Sequence, residues 1–497
     1  MKRYDNLFLL GLTFLLSPLG ALAQVASADK GTINDRDSNA RVRRETARPV
    51  RLTIPPKAAT PIAMATLPNA TCSLHPEGDT TQSVKLFADE EGTVRFHVSP
   101  SAESDMAVPM MVDCEADGVA QTFPLALRPN STPTADMPAP AAEVRKPRPG
   151  AFVRPALTGD EAATLSDEEL AARGYRRRPD PKDSPKAHAA WSKAVTQPMT
   201  FVPPTQAVNP GTTHDALNGF NWSGVQLVAP ANVGYSVAEG SWYVPAVVAP
   251  GPNNAPTYSG LWVGLDSSTG VFAPNGTLKH VLVQAGTAQN TQTVTWPGFP
   301  LVISTYYAWT EFLPQDPSEK PIQNFVVRPG DLIACYVWIG GGPIANLSGP
   351  YAWFEISNVT TGTYTIIPQS RSYIAGPNAE RLPPGAIGTP LTTNVNGSLA
   401  DWVMERPTVN GAMPSLANFG QTQMWGAYAG INNTPTYVPA YGSNTRAYSM
   451  FTGYDFLAGH HTGNLLSYPT FGQTCTVNPV RCSIRPDDIL YYWVYWN

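Results

Sequence analysis

The run Ala400-Asp401-Trp402-Val403-Met404-Glu405-Arg406-Pro407 carries two carboxylates at even spacing among apolar residues. A strand has a period of two, so Asp401, Val403 and Glu405 fall on one face and Trp402 and Met404 on the other. On pattern alone that division fits either an edge strand with solvated acids or a groove on one side and a core on the other. A second run, Lys279-His280-Val281-Leu282-Val283-Gln284-Ala285-Gly286, also alternates, and Gln284 closes an apolar strand beside a glycine, where a primary amide can point into a cleft. A carboxyl group can take a proton from water and return it to a departing amine. A primary amide is a neutral donor for an oxyanion. Splitting a peptide bond with activated water, without a metal or a covalent intermediate, needs both kinds of group and a cleft that holds the peptide extended.

Three further stretches accompany these two: Asn221-Trp222-Ser223-Gly224, Leu261-Trp262-Val263-Gly264-Leu265-Asp266 and Tyr307-Ala308-Trp309-Thr310-Glu311. Taken together the five resemble the glutamic peptidases (eqolisins). That family reads N-W-[SAG]-G, W-V-G-[IL]-D, L-x-Q-[TA]-G, A-W-x-E and A-E-[FW]-[IV]-x-E in the same order. The likeness runs from about Asn221 to about Phe419. It implies an all-β, concanavalin-like β-sandwich of two large antiparallel sheets with its site in the groove of one. It also implies Glu405 as general base and then acid, Gln284 as oxyanion donor, and Trp222, Trp262, Asp266, Trp309, Glu311 and Asp401 as supporting or substrate-contacting residues. Asp401 stands where the family often has Glu, one methylene longer.

Composition narrows the alternatives. Of 497 residues only 14% are charged, with a net charge of −5, which argues against nucleic acid as the partner, since phosphate binding needs concentrated Lys and Arg. Lys2 and Arg3, an apolar run from Leu7 to Leu19 and Ala21-Leu22-Ala23 form a signal peptide over 1–23, which predicts secretion and no stable membrane association. In an oxidising compartment Cys72 pairs with Cys114 and Cys475 with Cys482, leaving Cys335 buried in an apolar strand. There is no H-E-x-x-H, no G-x-S-x-G and no D-[ST]-G, and His460-His461 lacks metal-ligand company. No metal and no cofactor are expected, and the partners are protein or peptide substrates of a monomer.

Along the chain, 24–57 is polar and aperiodic and is expected to be disordered. Residues 58–128 alternate in short runs and predict a small β domain; Pro-rich sequence then begins a linker that, with a basic helical pro-segment, fills 129–199. Ser166 and Glu169 form a capping box, Gly174 closes that helix, and Ser184-Pro185 opens another toward Val195. The remainder, 200–497, reads as many short strands, the catalytic sandwich. Between Arg173 and Lys193 lie seven Lys or Arg and two Asp. Such a run predicts an inhibitory pro-segment laid electrostatically over a groove carrying Asp266, Glu311, Asp401 and Glu405. Two other readings of the sandwich are a glycosidase using Glu311 and Glu405 as a carboxylate pair and a carbohydrate-binding module with exposed aromatic platforms.

Overall fold

The computed structural model describes residues 23–24, 50–54, 60–89, 92–100, 108–129, 152–214, 221–247, 249, 251–267, 271–272, 278–279, 281–296, 299–339, 351–367, 389–390, 395–431, 436–455, 460–470, 474–477, 480–483 and 487–494. Among the described residues the regular elements are strands, apart from three short helices and a single 3-10 turn. Two large sheets, of 11 and 12 strands among the described residues, form a β-sandwich.

The front sheet runs through Phe299–Leu313, Leu282–Trp296, Thr257–Asp266, Leu399–Glu405 and Trp222–Val228, each antiparallel to the next. At the middle of the back sheet lie Gln421–Ile431, Tyr235–Tyr243, Leu332–Ile339 and Tyr351–Asn358. One cluster joins the inner faces: Leu261, Val263, Val283 and Met404 of the front sheet meet Trp242, Val337 and Phe354 of the back. Two indoles lock the sheets together as well as filling space. Trp402 Nε1 donates to the Glu239 carbonyl of the back sheet at 2.8 Å, and Trp242 Nε1 donates to Thr287 Oγ1 of the front sheet at 3.0 Å. Burying an indole while satisfying its N–H is what keeps these Trp inside; at ~25 cal/mol per Å² each contributes up to roughly 4–6 kcal/mol. Alternation then leaves the opposite faces of the same front strands to the site. Trp402 and Met404 go inward, whereas Val403 joins Trp222, Trp262 and Trp309 on the outer face.

The N-terminal region departs from the expected plan. Val50–Ile54, expected to be disordered within 24–57, forms a strand parallel to Val119–Pro129; it carries the β-branched residues that favour strands. The small β domain of 58–128 exists, with Cys72 and Cys114 bonded, but it is not separate. Its strand Thr93–Pro100 pairs antiparallel with Leu301–Ser304, so the front sheet continues into it. Cys475 and Cys482 stand directly opposite each other in a hairpin, the register a disulfide needs. Cys335 is free and buried, as its apolar surroundings predict.

The helical segment forms much as its capping signals indicate. Helix α1 spans Gly159–Thr164, capped by a Thr158–Glu161 box that the sequence reading passed over. Helix α2, Asp167–Ala172, has the expected box: the Glu169 N–H donates to Ser166 Oγ at 3.1 Å, and the Ser166 N–H donates to Glu169 Oε2 at 2.8 Å. Gly174, at φ 74°, lies just beyond it. Helix α3 is Pro185–Val195; Ser184 makes no cap bond there and meets Tyr428 Oη instead. The expected boundary at residue 200 falls inside the strand Met199–Phe201, which pairs with Thr363–Tyr364 of the back sheet.

The basic run does not cover the groove. It packs on the outer face of the back sheet, because the acids that match it are there. Arg177 reaches Glu239 at 2.9 Å, and Glu355 takes Arg154 at 3.1 Å and Arg176 at 3.5 Å. Arg176 also lies over the Tyr336 ring and Arg177 over Tyr428 and Tyr437. Burial alone would raise the Glu355 pKa; Arg154 and Arg176 override it and hold the group below its ordinary value. This clasp is thus complete above the ordinary carboxylate range and is lost only as pH falls through that lowered value. Glu355→Gln would strand two buried guanidinium groups, so a loss of about 3–5 kcal/mol is expected, seen as faster proteolytic nicking within 152–201 at neutral pH. Unchanged nicking would mean that helix packing alone holds the segment.

Candidate functional site

Three successive rungs of the front sheet build the outer-face site. The first holds Trp222, Glu405 and Gly260 side by side; the second Val403, Trp262, Gly286 and Trp309; the third Asp401, Gly264, Gln284 and Glu311. Large rings stand beside glycines for a steric reason. A Cβ on Gly286 would lie 2.5 Å from the Trp262 Cβ, so only glycine lets the neighbouring indole lie across that strand.

Every expected site residue is buried, and the strongest contacts converge on Glu405 and Gln284. Glu405 is fully buried, and its carboxylate meets donors from Asn221, Trp262 and His214. Asn221 Nδ2 donates to its Oε1 at 2.8 Å; Trp262 Nε1 at 2.7 Å and His214 Nδ1 at 3.0 Å meet its Oε2. The Gln284 amide orientation is set by acceptors on one side: its Nε2 donates to the His214 carbonyl at 2.6 Å and to Glu311 Oε2 at 3.1 Å. Its Oε1, like Glu311 Oε1, has no hydrogen-bond partner among the described residues. Burial pushes the Glu311 carboxyl well above its usual range, and the charges of Glu319 and Glu405 add to that, against His214. Asp401 accepts from Gln226 Nε2 at 3.0 Å, and Asp266 accepts from the Ser267 N–H where its strand ends. The indole of Trp222 tilts onto Tyr448.

Five residues that sequence reasoning did not single out as site residues, His214, Glu319, Tyr307, Asn209 and Asn221, complete the cluster. His214 stacks on Trp309 with centroids 3.7 Å apart and planes at 4°. Its main-chain N–H donates to Glu311 Oε2 at 2.9 Å, and its Nε2 pairs with Glu319 Oε2 at 2.8 Å. The other Glu319 oxygen accepts from Tyr307 Oη and from Asn209 Nδ2, each at 2.6 Å. Burial by itself would lower the His214 pKa; the charges and hydrogen bonds of Glu405 and Glu319 outweigh it and hold the ring at about 10, an imidazolium at neutral pH. Asn221 opens the N-W-S-G motif, so a signal for it existed. For Glu319, inside Asp316-Pro317-Ser318-Glu319-Lys320, the local sequence looks like a solvated turn.

Chemically, the arrangement offers a carboxylate held by three donors, a primary amide with fixed donors and an aromatic floor between them. Residues 220–449 match the family model described as the peptidase A4 family. Glu405, Gln284, Glu311, Glu319 and Asn221 lie within that span, whereas His214 and Asn209 precede it. No curated protein matches the chain.

Proposed function

We propose, for a chain whose residues 220–449 belong to the peptidase A4 family of glutamic peptidases, that Glu405 and Gln284 carry out the hydrolysis in a secreted zymogen working at acidic pH. The observation that carries this reading is the joint engagement of one residue: the Gln284 amide donates to the His214 carbonyl while Glu405 meets the same residue's ring. A substrate residue seated with its carbonyl on Gln284 would reach toward Glu405 as His214 does. In the reaction, Glu405 removes a proton from water as the water oxygen bonds to the carbonyl carbon. The resulting oxyanion is held by the Gln284 N–H. Collapse of the tetrahedral intermediate breaks the C–N bond, and the proton on Glu405 passes to the departing nitrogen. Asn221 and Trp262 orient the carboxylate, and Glu311 orients the amide.

Acid operation follows from the catalyst being a carboxyl group, whose ordinary pKa is about 4. Proteolysis of denatured casein at acidic pH should resist pepstatin and chelators, and soluble polysaccharides should remain intact. Purified precursor brought to low pH should shorten within 194–219, whereas Glu405→Gln precursor should stay full length. Equal shortening of both would assign maturation to another protease, and polysaccharide cleavage without proteolysis would overturn the reading.

A further inference from the structure

We infer that Thr212–His214 is this chain's own inhibitor, with the His214 ring filling the place of the attacking water and its main chain lying as a substrate strand would. The inference rests on the assignment of Glu405 and Gln284 above, and it replaces the basic run by a different segment. Four observations carry it. First, each polar atom of His214 is engaged by the site: N–H by Glu311, carbonyl by Gln284, Nδ1 by Glu405 and Nε2 by Glu319. Second, the ring lies flat on Trp309 and against bare backbone at Gly260, where a Cβ would come within 2.8 Å of Cε1. Third, the segment is held as a strand, with Thr212–Thr213 antiparallel to Thr408–Val409 and the Glu319 N–H donating to the Thr212 carbonyl at 2.9 Å. Fourth, this segment lies before the span that matches the peptidase family, and its partners Glu311, Gln284, Glu405 and Glu319 lie inside that span.

The pose inhibits instead of being cut. General-base attack needs a water against Glu405, and there the carboxylate meets an imidazolium nitrogen. The ring cannot itself deliver a nucleophile to the neighbouring carbonyl, because both its nitrogens are tied to carboxylates.

The pH dependence has a defined sign. The groups facing the ring are Glu405 from one strand, Glu311 and Tyr307 from another and Glu319 from the turn, with Lys85 and Tyr258 in the field of Glu319. Tyr307 stays neutral, since burial lifts it well above its ordinary value. His214 has a raised pKa, so its share of the docking is fully present below the ordinary histidine value and is lost as pH rises through about 10. Acid therefore cannot release the plug through the histidine. Release comes instead from loss of the negative charge on the carboxylates that clasp the ring.

The test uses full-length precursor and a quenched peptide substrate at a mildly acidic pH at which uncut wild-type precursor shows a lag. His214→Ala precursor should turn over substrate at least about tenfold faster in the first minutes, before any shorter species appears on a gel. Glu319→Gln, which leaves His214 in place but removes one charge of its clasp, should shift the onset of activity to higher pH; it decides the matter if His214→Ala does not fold. The double variant His214→Ala/Glu405→Gln must be silent. An active double variant would sink the catalytic assignment. A lag unchanged in His214→Ala and an onset unchanged in Glu319→Gln, with the double variant silent, would overturn the plug and leave that assignment standing. Wild-type precursor with no lag would overturn it too.

Discussion

Glu405→Gln is expected to lower proteolysis by about 10⁴-fold while the chain stays folded. A positioned general acid or base typically contributes about 10²–10⁴-fold, and in the proposed cycle the same carboxyl serves twice, so the upper end applies. The substitution is nearly isosteric, but not free of cost. Two donors, Trp262 Nε1 and His214 Nδ1, meet one oxygen, and Asn221 Nδ2 meets the other. An amide keeps one acceptor and puts a donor against another donor, which at a buried position costs about 1–3 kcal/mol. A melt lowered by a few degrees with activity gone is the expected pair of results. Activity within tenfold of wild type would remove Glu405 from the chemistry. A melt collapsed below the assay temperature would make it a structural residue.

Removing the amide should cost less, and in a different way. Gln284→Ala is expected to reduce kcat by about 10²–10³-fold, the usual effect of deleting an oxyanion donor, with KM little changed. Because the amide does not titrate, the pH–rate profile should keep its shape and fall uniformly. Steady-state rates across the acid range check both points. A profile displaced along the pH axis would mean that Gln284 acts mainly by tuning a neighbouring carboxyl, such as Glu311, to which it donates at 3.1 Å.

The legible part of this protein was its periodic part. Alternation through Asp401–Glu405 placed Trp402 and Met404 in the core and the acids on the other face, and the strands of the five motifs are neighbours in the front sheet. Spacing of two is a local property, so the sequence displays it. His214 was not legible, because its partners Glu405 and Glu319 lie 191 and 105 positions away and nothing nearby marks it as buried. The basic run showed the opposite failure. Its sign was plain but its address was not, and acids existed on both sheets. Glu239 and Glu355 each interrupt an otherwise mainly apolar strand, and an acid there is either solvated or matched by a guanidinium from elsewhere. Edge pairing of Thr93–Pro100 with Leu301–Ser304 joins segments about 200 positions apart, beyond any local signal.

That edge pairing bears on what cutting the chain would yield. Val294, Leu301 and Ile303 of the catalytic sandwich share one apolar cluster with Ile62, Phe96 and Val98 of the N-terminal part. Separating the halves would uncover that cluster and leave Leu301–Ser304 as a naked strand edge, a template for aggregation. A nick within 194–219 is thus expected to give a two-chain particle, its amino-terminal fragment retained as a complementing strand. The fragments should co-elute in native gel filtration, come apart only in denaturant, and leave the catalytic fragment prone to precipitation when it is refolded alone.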